Sequence, residues 1–469
     1  MNDRIHQDLQ ETSQLLAAAK DFSEQFLATI EAIPVGRGMQ GFERLSLPEQ
    51  AHGASYAMHR FETLYAPYVN SSAGPRYWGF VTGGTTPAAL MGDWLTAAMD
   101  LNAADRTAVS FHMEEEALHM LRQLFGLPEG YLGCFVSGAT MSNFSGLATG
   151  RQWLGMQRGI NIGEEGLHAL GVIKVVSATP HSSVVKSMSM MGLGRNALVR
   201  IPTLPGREAI DVLQLEQYLA AHPEEPVIVS ASAGTVNTVD FDDIAAIVKL
   251  KERYVFWLHV DAAFGGFAAL SDTHRHLVAG WEQADSITID AHKWLNVPYD
   301  SAMLFTRHPE MQLEVFKNAG AAYLGDPAKQ FNYTNYGPEN SRRFRALPAW
   351  FSLQAYGREG YRELVTRNIR HAQLLGQHVA SDDRFRLLAP VHMCVVCFTL
   401  HVAEEELGAA VAAYLQALQD GGVVYMTATY YAGVPAIRAA LVNWRTTDED
   451  VAIVWEEMQQ QVEMLPARV

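Results

Sequence analysis

The sequence contains few cysteines. Only Cys134, Cys394 and Cys397 occur among its 469 residues. The last two have the spacing of a redox or zinc pair, but no second CxxC follows, and they lie in an apolar, strand-like run. We therefore expect buried, unreactive thiols and no metal site.

Long apolar runs are also missing. The longest, such as 172–176 and 226–229, have the length of a strand, whereas a membrane helix needs about 20 apolar residues. The first residues lack the charged-then-apolar pattern of a signal peptide. We expect a cytoplasmic protein with no membrane partner.

Positive charge is scarce as well. The chain has 35 Lys and Arg residues against 51 Asp and Glu, a formal net charge of −16. Such a surface repels nucleic acid and anionic lipid, so we expect neither as a partner. With 48% hydrophobic residues, the chain can bury a sizeable core.

The hydrophobic pattern predicts three parts. Residues 1–75 have helix-like apolar spacing and form a helical segment suited to contact a second subunit. In 76–355, strand-like runs alternate with amphipathic stretches, which predicts an α/β domain with a mostly parallel sheet. Residues 356–469 predict a small α+β domain. The predicted strands and helices are 133–136, 172–176, 227–230, 257–260, 286–289, 303–305, 393–400 and 437–442 (strands), and 361–380 and 448–464 (helices).

Two apolar runs of the middle part end in polar residues with a clear chemical meaning. Asp261 ends one, and Lys293 follows the next. Because ligands bind outside the carboxyl ends of strands in such sheets, both side chains can reach one crevice. Pyridoxal 5′-phosphate (PLP) requires a lysine that holds it as an imine and a carboxylate facing its pyridine nitrogen. Without further motifs, the two residues would be interpreted as an Asp that ends a strand and a Lys on the surface.

Two further motifs accompany this pair. Residues 135–143 read as a strand, a turn of small residues and a helix start, an arrangement that suits a phosphate, although Ser or Thr capping would explain it equally. His181 follows another strand, where an imidazole can stack on an aromatic ring. Its alternative is a hydrogen-bonded histidine that caps a helix.

Together these motifs resemble the group II PLP-dependent amino-acid decarboxylases of fold type I, the family of aromatic L-amino-acid, glutamate and histidine decarboxylases. The resemblance runs across most of the chain and includes 75–87, 137–143, 181–183, 232–235, 259–266, 292–294, 342–350 and 445–450. It implies the PLP-dependent transferase fold, decarboxylation of an amino acid to its amine, and a homodimer with shared active sites.

The resemblance also implies a role for each matching residue. Lys293 binds the cofactor covalently, Asp261 pairs with its ring nitrogen, and His181 stacks on its ring. Tyr323 occupies the position of a loop tyrosine that protonates the product carbon, with Tyr333 and Tyr336 as alternatives. The remaining cofactor-binding residues are Gly138, Ala139, Thr140 and His292 at the phosphate, Ala263 beneath the ring and Thr235 near it.

The sequence departs from the aromatic enzymes in two places. Asp290 stands where these enzymes commonly have Asn, so it is either protonated or turned away from the phosphate. The loop after Tyr323 is not closely similar, which leaves the amino acid open. Tyr77, Trp78 and Phe80 match the family's substrate entrance and favour an aromatic or apolar side chain, unless they only pack a domain junction.

Other reactions remain compatible with the same scaffold. They are oxidative decarboxylation to an aldehyde, another carbon–carbon cleavage, transamination, and plain cofactor binding without catalysis. Tyr323 favours the amine-forming reaction over the aldehyde-forming one, since aldehyde-forming relatives tend to replace this tyrosine.

Overall fold

The computed structural model describes residues 2–36, 41, 44–103, 108–318, 327 and 329–465. Its helices are α1 (Asp3–Gln10), α2 (Thr12–Ala28), α3 (Ala54–Leu64), α4 (Pro87–Met99), α5 (Val109–Phe125), α6 (Ala139–Met156), α7 (Ile162–Glu165), α8 (Ser182–Met190), α9 (Val212–Ala221), α10 (Ile244–Leu250), α11 (Ala291–Trp294), α12 (Pro309–Phe316), α13 (Ala346–Ser381), α14 (Glu404–Gly421) and α15 (Asp448–Met464). Its strands are β1 (Leu132–Val136), β2 (Lys174–Ser177), β3 (Leu198–Arg200), β4 (Val227–Ser232), β5 (Trp257–Asp261), β6 (Ser286–Ile289), β7 (Ala302–Thr306), β8 (Phe385–Leu387), β9 (Val395–Leu400), β10 (Thr427–Tyr431) and β11 (Val434–Ala440).

A seven-stranded sheet forms the centre of the larger part, in the order β1-β7-β6-β5-β4-β2-β3. Strands β2 to β6 pair in parallel. Strands β4, β6 and β7 are buried along their whole length, as expected where helices cover both faces of a sheet. Helix α6 packs across β5, β6 and β7.

Strand β7 departs from the parallel pattern that alternation predicted. It runs antiparallel to both β1 and β6. The connection from β6 to β7 holds only the four-residue helix α11, whereas a parallel return needs a longer crossover. The sheet is therefore mixed but mostly parallel, which confirms the predicted fold class.

A second sheet, of four antiparallel strands in the order β10-β11-β9-β8, lies in the C-terminal part. It packs with α13, α14 and α15 around a separate core cluster. Helix α15 begins with a capping box between Thr447 and Asp450. Helix α13 bends at Gly357, where φ is +54°, and it crosses residue 355, so the predicted domain division stays a prediction.

The N-terminal helices lie apart from these cores. Helices α1, α2 and α3 contain no buried residue. Across the ranges given above, none of the helices has both the length and the apolar character needed to cross a bilayer.

Candidate active site

A cavity of about 310 Å³ opens at the carboxyl ends of β4, β5 and β6. This size is within the range of small-molecule sites. Its lining residues come from both parts of the chain: Phe80, Val81, Gly138, Ala139, Thr140, Thr179, His181, Ser183, Ser232, Gly234, Thr235, Val236, Asp261, Ala263, Phe264, Asp290, His292, Lys293 and Arg438.

Lys293 lies in α11, directly after β6. Its Nζ atom is 3.3 Å from Asp290 Oδ2 and 5.3 Å from the centre of the Phe264 ring. The Asp290 side chain is buried, and its Oδ1 atom has no hydrogen-bond partner among the described residues, although it lies 3.2 Å from His292 Nδ1. Asp290 therefore faces the lysine and the histidine rather than turning away from them.

Asp261 is the last residue of β5, and hydrogen-bond donors orient its carboxylate. Asn143 Nδ2 donates to Oδ2 at 2.9 Å, and the backbone N–H of Ala263 donates to Oδ1 at 3.3 Å. Each carboxylate oxygen of Asp261 therefore has one hydrogen-bond donor that fixes its orientation.

The turn of small residues lies between β1 and α6. Gly138 precedes Ala139, the first residue of the 18-residue helix, and Gly138, Ala139 and Thr140 line the cavity. The first N–H groups of a helix have no intrahelical acceptor and favour an anion. A Cβ atom at Gly138 would lie 3.4 Å from the His292 ring, so the turn and this histidine border the same space.

His181 caps α8 and opens to the cavity. Its Nδ1 atom is 2.7 Å from Ser183 Oγ and accepts the Ser183 N–H at 3.2 Å. Desolvation lowers the pKa of His181, partly opposed by Asp261. The ring is therefore neutral at physiological pH, which suits stacking on an aromatic ring.

Thr235 also lines the cavity, but its hydroxyl bonds elsewhere. Thr235 Oγ1 donates to Glu208 Oε2 at 2.6 Å. Thr235 therefore contributes the shape of its side chain and its backbone to the cavity wall, and its hydroxyl bonds elsewhere.

The predicted aromatic entrance is partly wrong. Phe80 lines the cavity and is 58% exposed, but Trp78 is fully buried in the C-terminal core, where its Nε1 donates to the Pro75 carbonyl at 2.8 Å. Tyr77 stacks on Tyr425 with ring centres 4.8 Å apart. The segment does not continue as one extended strand, since φ is +56° at Phe80, and the three aromatics therefore do not form one surface.

Tyr323 lies outside the described residues. Its two alternatives, Tyr333 and Tyr336, are both buried, and neither is among the residues that line the cavity. The proton-donor assignment therefore stays a prediction for Tyr323.

Sequence reasoning missed Arg438. It lies in β11, lines the cavity and is 5% exposed. Its Nε donates to the Val236 carbonyl, and its Nη2 has no hydrogen-bond partner among the described residues. Burial lowers the pKa of Arg438 to about 10, so it stays charged at neutral pH. The available signal was an arginine inside an otherwise apolar strand.

The cysteines are buried as predicted. Burial raises the pKa of Cys134, Cys394 and Cys397 to about 12 in each case. Among the described residues, no group of three or more His, Cys, Asp or Glu side chains is arranged to bind a metal ion.

These residues fit PLP. The cavity combines an amine, a carboxylate with oriented donors, a helix start and a buried guanidinium with an unpartnered nitrogen. A mostly parallel sheet with such a site at its carboxyl edge defines the class of PLP-dependent fold type I enzymes.

The comparisons identify the family. Residues 38–401 match the model of the pyridoxal-dependent decarboxylase conserved domain, and the chain belongs to this family. It is a PLP-dependent amino-acid decarboxylase, as the sequence predicted.

Individual relatives are distant but match over nearly their full length. Tryptophan decarboxylase 1 of Oryza sativa subsp. japonica is 25% identical over 94% of this chain and 91% of its own. Phenylacetaldehyde synthase of Petunia hybrida is 26% identical over 95% of this chain and 93% of its own. The crystal structure of Oryza sativa TDC with PLP and tryptamine superposes with a TM-score of 0.89 at 23% identity, covering 97% of this chain and 98% of that one.

Proposed function

We propose that the chain decarboxylates an aromatic L-amino acid to its amine, with Lys293 as the covalent attachment point of the cofactor. The observation that carries this proposal is the convergence of Lys293, Asp261 and His181 on one cavity. In this proposal Asp261 faces the ring nitrogen and His181 stacks on the ring. Gly138, Ala139, Thr140 and His292 surround the phosphate, and Thr235 and Ala263 border the ring.

Bound PLP supplies an electron sink for the bond to the departing carboxyl group. The protein itself contributes electrostatic and steric effects. Asp261 would favour a positive charge on the ring nitrogen, and Asn143 and the Ala263 N–H hold its carboxylate in place. An apolar wall of the cavity is formed by Val81 and Phe264, which are 7% and 5% exposed. This wall limits the water around the reacting carboxylate.

Arg438 is the candidate for binding the substrate carboxylate. A buried guanidinium nitrogen without a partner is costly, and a substrate carboxylate would satisfy it with a charge-assisted hydrogen bond. Arg438 lies on β11 of the C-terminal part and faces the strand-end cavity, so in this proposal the substrate binds between the two sheets.

The aromatic substrate is supported by two observations. Phe80, Val81 and Phe264 give the cavity an apolar side, and a tryptophan decarboxylase is among the relatives. Aldehyde formation is the second candidate, because a phenylacetaldehyde synthase matches this chain at similar identity. We favour the amine because Tyr323 is retained.

A panel of amino acids tests the substrate class. Carbon dioxide release is measured for each amino acid, and the product is identified by mass. We expect tryptophan, tyrosine or phenylalanine to react fastest and to yield amines. A clear preference for glutamate or another acidic amino acid would overturn the aromatic assignment, and an aldehyde product would favour the second candidate.

We also propose a homodimer with shared active sites. Its support is the apolar surface of the N-terminal helices, where Ile5, Leu9 and Leu16 are each about 60% exposed. The cytoplasmic location predicted from the sequence stays a prediction.

Borohydride reduction tests the attachment site directly. It should fix the cofactor on the peptide that contains Lys293, as detected by mass spectrometry, while Lys293→Ala should show no fixed cofactor. Lys186→Ala is a matched control and should label like the wild type. Label on any other lysine would refute the central assignment.

A further inference from the structure

A buried amide connects the two residues proposed to contact the cofactor ring. Asn143 lies in the first turns of α6 and is fully buried. Its Nδ2 atom donates to Asp261 Oδ2 at 2.9 Å and to Ser183 Oγ at 3.0 Å. Ser183 in turn contacts His181. One side chain therefore bridges the carboxylate and the histidine of the site.

The direction of these hydrogen bonds follows from the carboxylate. An ionised carboxylate only accepts hydrogen bonds, so the atom facing Asp261 must be the amide nitrogen of Asn143. The amide oxygen then points to His259 Nε2, 2.9 Å away. Because that oxygen accepts only, His259 must carry its proton on Nε2.

The hydrogen bonds on the other side of the His259 ring agree with this direction. Trp257 Nε1, which can only donate, is 3.0 Å from Ser286 Oγ. The Ser286 hydroxyl proton is then available to donate to His259 Nδ1, 2.8 Å away, as the Nε2–H tautomer requires. Desolvation lowers the pKa of His259 to about 4, so the ring is neutral and has one proton to place, on Nε2.

Packing holds the His259 ring in this orientation. His259 is fully buried on β5, two residues before Asp261. A Cβ atom at Gly146 would lie 2.7 Å from its Nδ1 and Cε1 atoms. Because a side chain would clash there, glycine allows α6 to close over the ring.

The branch through Ser183 fixes the proton of His181. Ser183 Oγ accepts from Asn143, so its own hydroxyl is available to donate to His181 Nδ1 at 2.7 Å. The Ser183 N–H donates to the same nitrogen at 3.2 Å. With two donors on Nδ1, the single proton of the neutral ring must lie on Nε2.

We propose that Asn143 and His259 are positioning residues that keep Asp261 a pure acceptor and hold His181 as the Nε2–H tautomer through one directed hydrogen-bond chain. This series of hydrogen bonds runs from Trp257 through Ser286 and His259 to Asn143. There it divides into one branch to Asp261 and another through Ser183 to His181. This inference rests on the proposed roles of Asp261 and His181. His259 acts by preventing a flip of the Asn143 amide, which would set an oxygen against Asp261.

The tautomers are measured on cofactor-free protein by nitrogen NMR with ¹⁵N-labelled histidine. His181→Gln and His259→Gln assign the two rings by loss of their signals. We expect both rings to carry the proton on Nε2, and we expect the His259 ring, whose pKa is about 4, to show no titration between pH 6 and 8. A proton on Nδ1 of either ring would overturn the proposal, whatever borohydride labelling shows for Lys293.

Substitutions in the holoenzyme test the consequence. Asn143→Asp sets a carboxylate against Asp261, so one proton must be shared between them. We expect kcat to fall on the order of a hundredfold with KM little changed, a new ionisation in the pH profile of kcat, and weaker PLP binding. Wild-type kcat, pH profile and PLP affinity in this variant would overturn the proposal.

A matched pair tests His259. Glutamine can place a donor near the position of Nε2, whereas leucine cannot. We expect His259→Leu to lose on the order of tenfold in kcat and in PLP affinity and His259→Gln to recover most of both. His371→Leu is the control for changing a buried histidine, because His371 bonds Asp448 and does not line the cavity; equal losses in both leucine variants would overturn the positioning role.

Discussion

At the residue scale, Arg438 is the most unusual residue of the cavity, because it is a buried charge. It is nearly fully buried, stays charged, and has one nitrogen without a hydrogen-bond partner among the described residues. If it binds the substrate carboxylate, its removal weakens substrate binding more than the chemical step, because the carboxylate loses its charge during the reaction.

Arg438→Met retains much of the volume and removes the charge. We expect KM for the amino acid to rise by roughly tenfold to a hundredfold, the usual range for a lost hydrogen bond to a charged group, with a smaller change in kcat. The same variant should bind a decarboxylated amine as well as the wild type does, measured by competitive inhibition. A kcat loss with unchanged KM would assign Arg438 to the chemistry instead.

Tyr323 is the second test at this scale. Once carbon dioxide leaves, the α-carbon needs a proton, and a phenol held by a closed loop can deliver it. Phenylalanine fills the same space without a proton to give. Tyr323→Phe should release carbon dioxide but form aldehyde, consuming one molecule of oxygen per aldehyde and releasing ammonia and hydrogen peroxide.

An oxygen electrode and product analysis check this prediction. Tyr336→Phe is the matched control and should continue to form amine without oxygen uptake. If Tyr323→Phe makes only amine at the wild-type rate, another group supplies the proton.

The site could be predicted where a residue stands in a local motif. Lys293, Asp261 and His181 each lie at the end of a strand or just after it, so their positions in the sequence were enough to predict that they meet at one edge of the sheet. Arg438 was missed because it reaches the cavity from another sheet, a contact that no local pattern contains. The role that we propose for His259 was not predicted for a similar reason, since it depends on contacts with α6.

At the scale of elements, the apolar runs predicted six of the seven strands of the large sheet to within a few residues. The prediction for α15 matches at both ends, because a capping box marks its start. The short strands β3, β8 and β10 were missed. Three to five residues give too little alternation to recognise, and pairing with a neighbour stabilises them rather than their own sequence.

Strand β5 gives a pH prediction through His259. The pKa of this ring is about 4 in the folded chain against an ordinary 6.5. Below pH 6.5 the unfolded chain gains a proton that the folded chain does not accept until about pH 4. The contribution to stability is therefore fully present above pH 6.5 and is lost as the pH falls towards 4.

Urea unfolding at pH 7 and pH 5 measures this effect. Between those values the linkage amounts to about 2 kcal/mol, so the wild type should lose about that much more free energy of unfolding than His259→Gln. His119→Gln, a change at an exposed position, should lose as much as the wild type. Equal losses in the wild type and His259→Gln would mean that His259 accepts a proton in the folded state.

At the scale of the whole molecule, the described surface has two apolar areas that a single chain leaves uncovered. Helices α1 to α3 bury no residue of their own. On α4, Met91, Trp94, Leu95 and Met99 recur on one face and are 43–60% exposed. Apolar area of this kind on a folded chain marks an interface, and a second copy is the partner we propose.

A subunit-mixing experiment tests both the dimer and the sharing of sites. Lys293→Ala lacks the attachment point, and Tyr323→Phe lacks the proposed proton donor, so neither homodimer should form amine efficiently. If Tyr323 acts in the partner's site, a mixed dimer contains one site with both residues intact. Unfolding and refolding the two variants together at equal amounts should then restore about a quarter of the wild-type amine formation, since half of the dimers are mixed and each has one intact site. Sedimentation should show a dimer at the assay concentration. An active monomer, or no recovery in dimers shown to be mixed, would mean that each chain completes its site alone.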